Sequence, residues 1–256
     1  MSGPQVMVPP PAWRILALDT GTSVIEKSIL TYLVDAGTSI RIPRVIWVLE
    51  GPRRIIVDTS ADDEKVATAI IGENLTRTPD QEPSRALKQA GVDPGRVDDV
   101  IFTHLHWDHS GNAALFPESR LIAQQAEIAY AKSPSTYFEK AFLSPQGGFH
   151  PSYEARTLTA VDGDQELWPG LELLHVPGHT PGSQAVRVYT RQGWCTIAGD
   201  AVFTYENLEK DIPPGFHIDV DQALASMHRI RDTSDLVLPS HDYSLFRGAL
   251  ITEVGT

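Results

Sequence analysis

One short stretch constrains the fold of this chain more than any other. It is residues 103–111, which read THLHWDHSG and directly follow the apolar run 100–102. Three histidines and one aspartate fall within six positions of it. In an extended chain, alternate side chains point to the same side, so His104 and His106 face together while Leu105 faces away. The fold must hold these polar groups at the end of a buried strand, and their spacing is typical of a metal chelate.

The second half of this stretch predicts a second chelate. Trp107 breaks the alternation, so Asp108 and His109 can face a different point in space from the first pair. Two ligand pairs aimed at neighbouring points indicate two metal ions. The rival interpretation, that these are ordinary surface or core histidines, accounts poorly for so dense a cluster.

Composition limits the class of protein. The formal net charge is -12, whereas nucleic-acid binding needs clustered Lys and Arg, so we expect no nucleic-acid partner. No apolar run approaches the ~20 residues of a membrane helix, and we expect no membrane partner. Cys195 is the only cysteine, which excludes an intramolecular disulfide and favours a buried thiol in a reducing compartment. We therefore expect a cytoplasmic protein.

The 256 residues are expected to form one large domain. Residues 1–12 are predicted to be a flexible leader and residues 13–256 a single metallo-hydrolase domain, because no linker-like stretch interrupts them. Residues 133–153 form a long loop that is often functional when it is this aromatic, so we predict a lid or pocket wall, with an ordinary surface excursion as the alternative. Its aromatic side chains are Tyr137, Phe138, Phe142 and Phe149.

Strand patterns dominate both halves of the chain. Residues 13–18 read as a strand ending at a turn, residues 29–34 as a second strand, and residues 42–57 as a hairpin. Helical and strand patterns alternate between residues 62 and 131, which predicts helices packed outside β-sheets. Residues 220–230 are amphipathic and predict a helix.

Three more candidate ligands follow apolar strands: His179, Asp200 and His241. Each is weak evidence alone, because a single His or Asp after a strand is usually a turn or cap residue. The same ambiguity applies to Asp58. Together with the opening stretch, the three bring the set to five His and two Asp, all expected at one edge of a layer. The donors are nitrogen and oxygen without thiolate, which suits Zn and admits Fe, Mn or Co.

The His-x-His-x-Asp-His run, the Pro-Gly-His-Thr-Pro-Gly-Ser turn, the later Gly-Asp and the late Ser-His resemble the metallo-β-lactamase superfamily from about residue 31 to residue 241. The resemblance implies an α+β fold, the αββα four-layer sandwich, with a binuclear site at one edge. Asp58 would support a metal-binding His, although Ser60 replaces the Gly of the family's Asp-Thr-Gly. By position, the resemblance implies one metal at His104, His106 and His179, another at Asp108, His109 and His241, and Asp200 as the bridge.

Within the superfamily, the chain is most similar to the N-acyl-homoserine lactonases, on residues 103–111, 199–201 and 206–209. That group implies a small-molecule lactone or related acyl substrate, a role in quorum quenching and a homodimer. It has a Tyr three residues after the bridging Asp, whose hydroxyl polarises the lactone carbonyl. Here that residue is Phe203, so either Tyr205 supplies the hydroxyl or the metals polarise the carbonyl alone.

The resulting hypothesis is a hydrolase in which a metal-bridging hydroxide attacks the lactone carbonyl and Asp108 passes the proton to the leaving alkoxide. The aromatic loop and Phe203 would bury the apolar part of the substrate. The alternatives on the same scaffold are thioester, cyclic-amide and β-lactam hydrolysis. A non-catalytic metal-binding module is less favoured because all seven ligand positions are filled.

Overall fold

The computed structural model describes residues 10–72 and 74–255, and in these residues the backbone forms thirteen strands and six α-helices. The strands are β1 (Arg14–Glu26), β2 (Ser39–Glu50), β3 (Arg54–Val57), β4 (Asn74–Thr76), β5 (Asp99–Ile101), β6 (Arg120–Gln124), β7 (Leu158–Val161), β8 (Gln165–Trp168), β9 (Leu171–His175), β10 (Gln184–Thr190), β11 (Gly193–Ile197), β12 (Leu236–Leu238) and β13 (Ile251–Val254). The helices are α1 (Glu64–Val66), α2 (Pro83–Gln89), α3 (Trp107–Ser110), α4 (Gln125–Lys132), α5 (Tyr205–Lys210) and α6 (Val220–Thr233), and a π-helical turn (Ala67–Ile71) continues α1.

The strands form two sheets. The larger has the order β13-β1-β2-β3-β5-β6-β7, with β4 beside β1, and the smaller has the order β12-β11-β10-β9-β8. One apolar cluster lies between the sheets and includes Trp47 of β2 and Val186 of β10. A second cluster joins the outer face of the larger sheet to α2, and a third joins the outer face of the smaller sheet, including Ala185, to α6. The layers are therefore helix, sheet, sheet and helix, and the predicted αββα sandwich is confirmed.

Strand direction brings the carboxyl ends of β3 and β5 in the larger sheet and of β9, β11 and β12 in the smaller sheet to one edge of the sandwich. In the larger sheet β3, β5, β6 and β7 are parallel. In the smaller sheet β10 is antiparallel to both β9 and β11, and β12 is parallel to β11, so β9, β11 and β12 run the same way. Gln184 joins the two sheets at this edge: its backbone N–H donates to Thr103 O at 2.8 Å and its side chain donates to Phe102 O at 2.8 Å.

The local predictions hold where strands pair in the core and fail near the surface. The predicted strand at residues 29–34 is wrong: Lys27–Ile29 is a 3-10 helix followed by turns. Leu33 has a φ of 59° and is 76% exposed, so this apolar run turns instead of pairing. The turn predicted after residue 18 is a bulge, and β1 continues through it with a register shift between Asp19 and Thr22.

Other expectations concern segments outside the sheets. Residues 1–9 of the predicted leader lie outside the described residues. Residues 133–153 contain the 3-10 turns Thr136–Phe138 and Pro145–Gly147 but no strand. Cys195 is buried between the sheets, and burial raises the pKa of its thiol to about 12. Of the helices in the described part of the chain, none combines the length and apolarity that crossing a membrane requires.

A buried carboxyl group at the bulge of β1 should make the stability of the fold depend on pH. Asp19 is 5% exposed, and burial raises its pKa from 3.8 to about 6, against the opposing hydrogen bonds from Gly21 N–H and the Gln81 side chain. Between these values the folded chain keeps a proton that the unfolded chain releases, so stability falls as the pH rises. The free energy of unfolding of Asp19→Asn, relative to that of the wild type, should therefore rise by about 1–3 kcal/mol from pH 4 to pH 7.

Urea denaturation of both proteins at pH 4, 5.5 and 7 measures this gain. Asp162→Asn, at an exposed turn position, is the matched control and should show no such trend. A difference for Asp19→Asn that stays constant over this pH range would contradict the prediction.

Candidate metal centre

The turn after β5 is held by the carboxylate of Asp58, which follows β3. Asp58 accepts hydrogen bonds from Thr103 N–H at 2.7 Å, from Thr103 Oγ1 at 2.8 Å and from His109 Nδ1 at 2.7 Å. Its φ is 57°, a left-handed conformation that costs a non-glycine residue about 1 kcal/mol or more. Asp58 therefore fixes both the start of the histidine-rich turn and the orientation of the His109 ring.

A first group of donor atoms comes from the turns after β5 and β9. His104 Nε2 lies 3.0 Å from His106 Nδ1, and His179 Nε2 lies 3.1 Å from each of them. Asp200 Oδ2 lies 3.7 Å from His104 Nε2 and 3.4 Å from His179 Nε2. All four side chains are buried and could hold a metal ion.

A second group adjoins the first. Asp108 Oδ2 lies 3.7 Å from His109 Nε2 and 3.8 Å from His241 Nε2. The other oxygen of Asp200, Oδ1, lies 3.1 Å from His109 Nε2 and 3.3 Å from His241 Nε2. The carboxylate of Asp200 thus lies between the two groups, and the structure brings together all seven side chains that the sequence singles out.

The hydrogen bonds around these groups show which ring nitrogens carry a hydrogen. His179 Nδ1 donates to Phe216 O at 2.7 Å, and His241 Nδ1 donates to Pro43 O at 3.1 Å. Since a carbonyl oxygen only accepts, the Nδ1 atoms carry the hydrogen, and the Nε2 atom of each ring can bind a cation when the ring is neutral. His109 Nε2 and Asp200 Oδ1 are buried without a hydrogen-bond partner among the described residues. Histidine nitrogens and carboxylate oxygens gathered within 4.8 Å of one another are the ligands that zinc takes in proteins, so the donor set fits bound metal.

The electrostatics of the two groups differ. Burial, together with neighbouring histidines, holds the pKa of His104 and of His106 well below the usual value, so both rings stay neutral as ligands must be. Burial also lowers the pKa of His109, but the carboxylates of Asp200, Asp58 and Asp108 outweigh it and raise that pKa well above the usual value. The second group is therefore rich in negative charge.

Comparison with known proteins decides the family. A family model described as the metallo-β-lactamase superfamily matches residues 22–241. The chain belongs to this superfamily.

Several relatives of this chain within the superfamily are named for N-acyl homoserine lactones. The chain is 29% identical to an N-acyl homoserine lactonase from a Bacillus species over 255 residues, which cover 93% of this chain and 96% of the relative. It is also 29% identical to N-acyl homoserine lactonase AiiA of Bacillus thuringiensis subsp. kurstaki over 232 residues, or 86% and 87% of the two chains. A solved N-acyl homoserine lactone hydrolase, with the product N-hexanoyl-L-homoserine at its catalytic metal centre, is similar with a TM-score of 0.76 and 25% identity, covering 90% of this chain and 94% of that one.

Ser60 departs from the superfamily pattern named above. Its φ is 66°, the left-handed conformation that a glycine adopts without strain. Its hydroxyl accepts a hydrogen bond from Thr20 Oγ1 at 2.6 Å, and both residues are buried. The serine thus holds a backbone conformation that glycine adopts more easily, and its side chain forms a hydrogen bond that glycine could not form.

Glu127 of α4 holds two of the motif turns in place through hydrogen bonds. No pattern in the sequence indicated this role. Its fully buried carboxylate accepts from Leu105 N–H at 2.8 Å, Thr180 Oγ1 at 2.6 Å and Gly182 N–H at 3.2 Å. Burial raises the pKa of Glu127 to about 7, against these three hydrogen bonds. A Cβ at Gly182 would lie 2.1 Å from Glu127 N, so only glycine allows this approach. Glu127 joins the turn after β5 to the turn after β9.

Arg44 is the second supporting residue that sequence analysis missed. It lies on β2 with 2% of its surface exposed, and its Nη1 forms an ion pair with Asp108 Oδ2. The available signal was a charged residue within the apolar strand 42–49, where an unpartnered arginine would be costly to bury.

A cavity of about 450 Å³ opens above the two donor groups. Of the predicted pocket residues, Tyr137 and Phe203 line it. Phe142 instead packs against the His106 ring, with centroids 4.5 Å apart, Phe138 packs against Phe216, and Phe149 packs in a small cluster beside Trp107. Further apolar lining comes from Ile25, Leu30, Ile42 and Phe216.

The two aromatic residues after Asp200 lie in different places. Phe203 is buried and stacks on the His241 ring, with centroids 5.5 Å apart. Tyr205 packs against the cluster between the two sheets, and burial raises its pKa to about 12. Among the described residues that line the cavity, Tyr205 is absent. The structure does not bring its hydroxyl to the donor groups.

Replacing Glu127 tests its supporting role. Glu127→Ala leaves two backbone N–H groups buried without an acceptor and should lower the free energy of unfolding by roughly 2–4 kcal/mol. Glu127→Gln keeps one carbonyl acceptor and should lose less. Urea denaturation measures both, with Glu118→Ala at an exposed position as the control. Equal stability of Glu127→Ala and Glu118→Ala would show that Glu127 does not hold the two turns together.

Proposed function

We propose that this protein is a metal-dependent hydrolase that opens lactone rings, with N-acyl-homoserine lactones as its substrate class. The observation that carries the proposal is the convergence of seven donor side chains, six of them buried, beside a cavity that five of them line. The names of the relatives support the choice of substrate. Opening such lactones is the chemistry of quorum quenching.

In this proposal two divalent metal ions occupy the two donor groups. His104, His106 and His179 would hold one, Asp108, His109 and His241 would hold the other, and Asp200, which lies between the two groups, would be shared. Nitrogen and carboxylate donors without thiolate favour zinc. When bound, divalent metal ions lower the pKa of water toward neutrality and polarise a carbonyl oxygen.

Asp108 is the proposed proton carrier. Burial raises its pKa, but the charges of Arg44, His109 and His241 outweigh burial, so the pKa is lowered and Asp108 is ionised at neutral pH. The ionised carboxylate accepts the proton that water loses as its oxygen bonds to the lactone carbonyl carbon. It then gives that proton to the ring oxygen as the ester C–O bond breaks, which leaves a hydroxy acid.

The remaining side chains position the substrate. Ile25, Leu30 and Phe216 line the cavity and suit an apolar acyl chain. Phe203 has no hydroxyl and Tyr205 packs elsewhere, so we propose that neither residue polarises the carbonyl.

A substrate panel with zinc-loaded protein tests the proposal. N-acyl-homoserine lactones should be opened faster than a thioester, a cyclic amide or a β-lactam, measured by proton release at constant pH. Asp108→Asn cannot carry the proton and should lose roughly 100-fold or more in kcat, while the group around His179 still binds zinc.

Two outcomes would contradict parts of this proposal. Faster hydrolysis of another member of the panel would replace the lactone by that substrate. Unchanged turnover in Asp108→Asn, with zinc content measured on the same sample, would remove Asp108 from proton transfer.

Tyr205→Phe tests whether a tyrosine hydroxyl acts in this chain. Because Tyr205 packs between the sheets and not at the cavity, we expect kcat and KM to change less than about twofold, below the smallest effect of a lost acid or base. Steady-state kinetics with the best lactone of the panel measures both constants. A fall of tenfold or more in kcat would restore Tyr205 to the reaction, and an unchanged unfolding midpoint would exclude a structural cause.

A further inference from the structure

One carboxylate oxygen of the site faces both an arginine and the second donor group. Asp108 Oδ2 forms the ion pair with Arg44 Nη1. The same oxygen faces His109 Nε2 at 3.7 Å and His241 Nε2 at 3.8 Å, the atoms that complete the second donor group. A metal ion in this group would therefore share one carboxylate oxygen with the guanidinium of Arg44.

The guanidinium is held firmly in this position. Arg44 Nε donates to Ser23 Oγ at 3.1 Å, and Ser23 is fully buried. The guanidinium carbon lies 5.2 Å from the centre of the Trp107 ring. An arginine side chain does not lose its proton in proteins, so its positive charge is permanent. Arg44 can neither withdraw to solvent nor become neutral when a metal ion arrives.

The first donor group has a different environment. In the described part of the chain, Asp200 forms ion pairs with histidines alone. The rings of His106 and His179 contact Phe142, Phe203 and Phe216. A cation entering this group meets aromatic rings and histidines whose pKa values are lowered by burial.

We propose that Arg44 makes the two metal positions unequal, so that the group of His104, His106, His179 and Asp200 binds its ion tightly and the group of Asp108, His109 and His241 binds its ion weakly. The inference rests on the metal assignment in the proposed function. Whatever stabilises the metal-free form of a ligand weakens metal binding by the same amount. Arg44 stabilises metal-free Asp108 through the ion pair and repels a dication that lies a few ångströms away.

Zinc titration of the metal-free protein against a competing chelator tests this inference. The wild type should bind two zinc ions, the second roughly 100-fold more weakly than the first. Arg44→Gln should tighten the second step by about tenfold or more and leave the first within about twofold. Arg44→Lys keeps the charge and should stay closer to the wild type than Arg44→Gln.

Two further variants control the experiment. Arg41→Gln removes an exposed positive charge from the same strand and should leave both steps unchanged. Ser23→Ala removes the anchor of Arg44 Nε and should tighten the second step in the same direction but less, which provides a readout should Arg44→Gln not fold. Circular dichroism identifies that case.

Two outcomes would overturn the inference: equal affinity of the two positions in the wild type, or a second step that is unchanged or weaker in both Arg44→Gln and Ser23→Ala. The titration uses zinc alone and no lactone, so its result is independent of whether the proposed lactonase activity is correct. A chain that binds two zinc ions unequally but opens no lactone would refute only the substrate assignment. One that opens lactones with two equal zinc positions would refute only the role of Arg44.

Discussion

The site depends on a local arrangement that is unfavourable on its own: buried electron pairs that face one another. His104, His106 and His179 bring three ring nitrogens within 3.1 Å, and Asp200 adds a carboxylate between them and the second donor group. When each of these atoms presents a lone pair, as metal ligands must, the crowding costs free energy unless a cation lies between them. Most other features of this edge of the sandwich serve to hold these atoms in place against that cost.

The supporting structure pays locally in backbone conformation and close packing. Asp58 stays in a left-handed conformation because Thr103 and His109 both donate to its carboxylate. Gly199 has a φ of 53°, and a Cβ there would lie 2.6 Å from Thr103 Cβ, so glycine is required beside Asp200. Such strain persists only where the surroundings determine the conformation, and here they are the turns that carry the donors.

Prediction from sequence succeeded where local pattern and three-dimensional position coincide. His179, Asp200 and His241 follow apolar strands, and strands of one direction end at one edge, so their meeting could be predicted. Glu127 and Arg44 could not be predicted in the same way, because their partners lie on other elements and no spacing links them to the motifs. The apolar run 29–34 failed for a related reason: apolar character alone does not specify a pairing partner, and this segment turns at the surface.

The hydrogen bonds from Gln184 to Phe102 and Thr103 mark where the two sheets meet. Four of the donor side chains belong to the larger sheet's half of the chain, and His179, Asp200 and His241 belong to the other. Neither half can assemble the centre alone. An ion bound there would clamp the halves of the sandwich together, so metal uptake would depend on their docking, and losing the ion would weaken the seam between them.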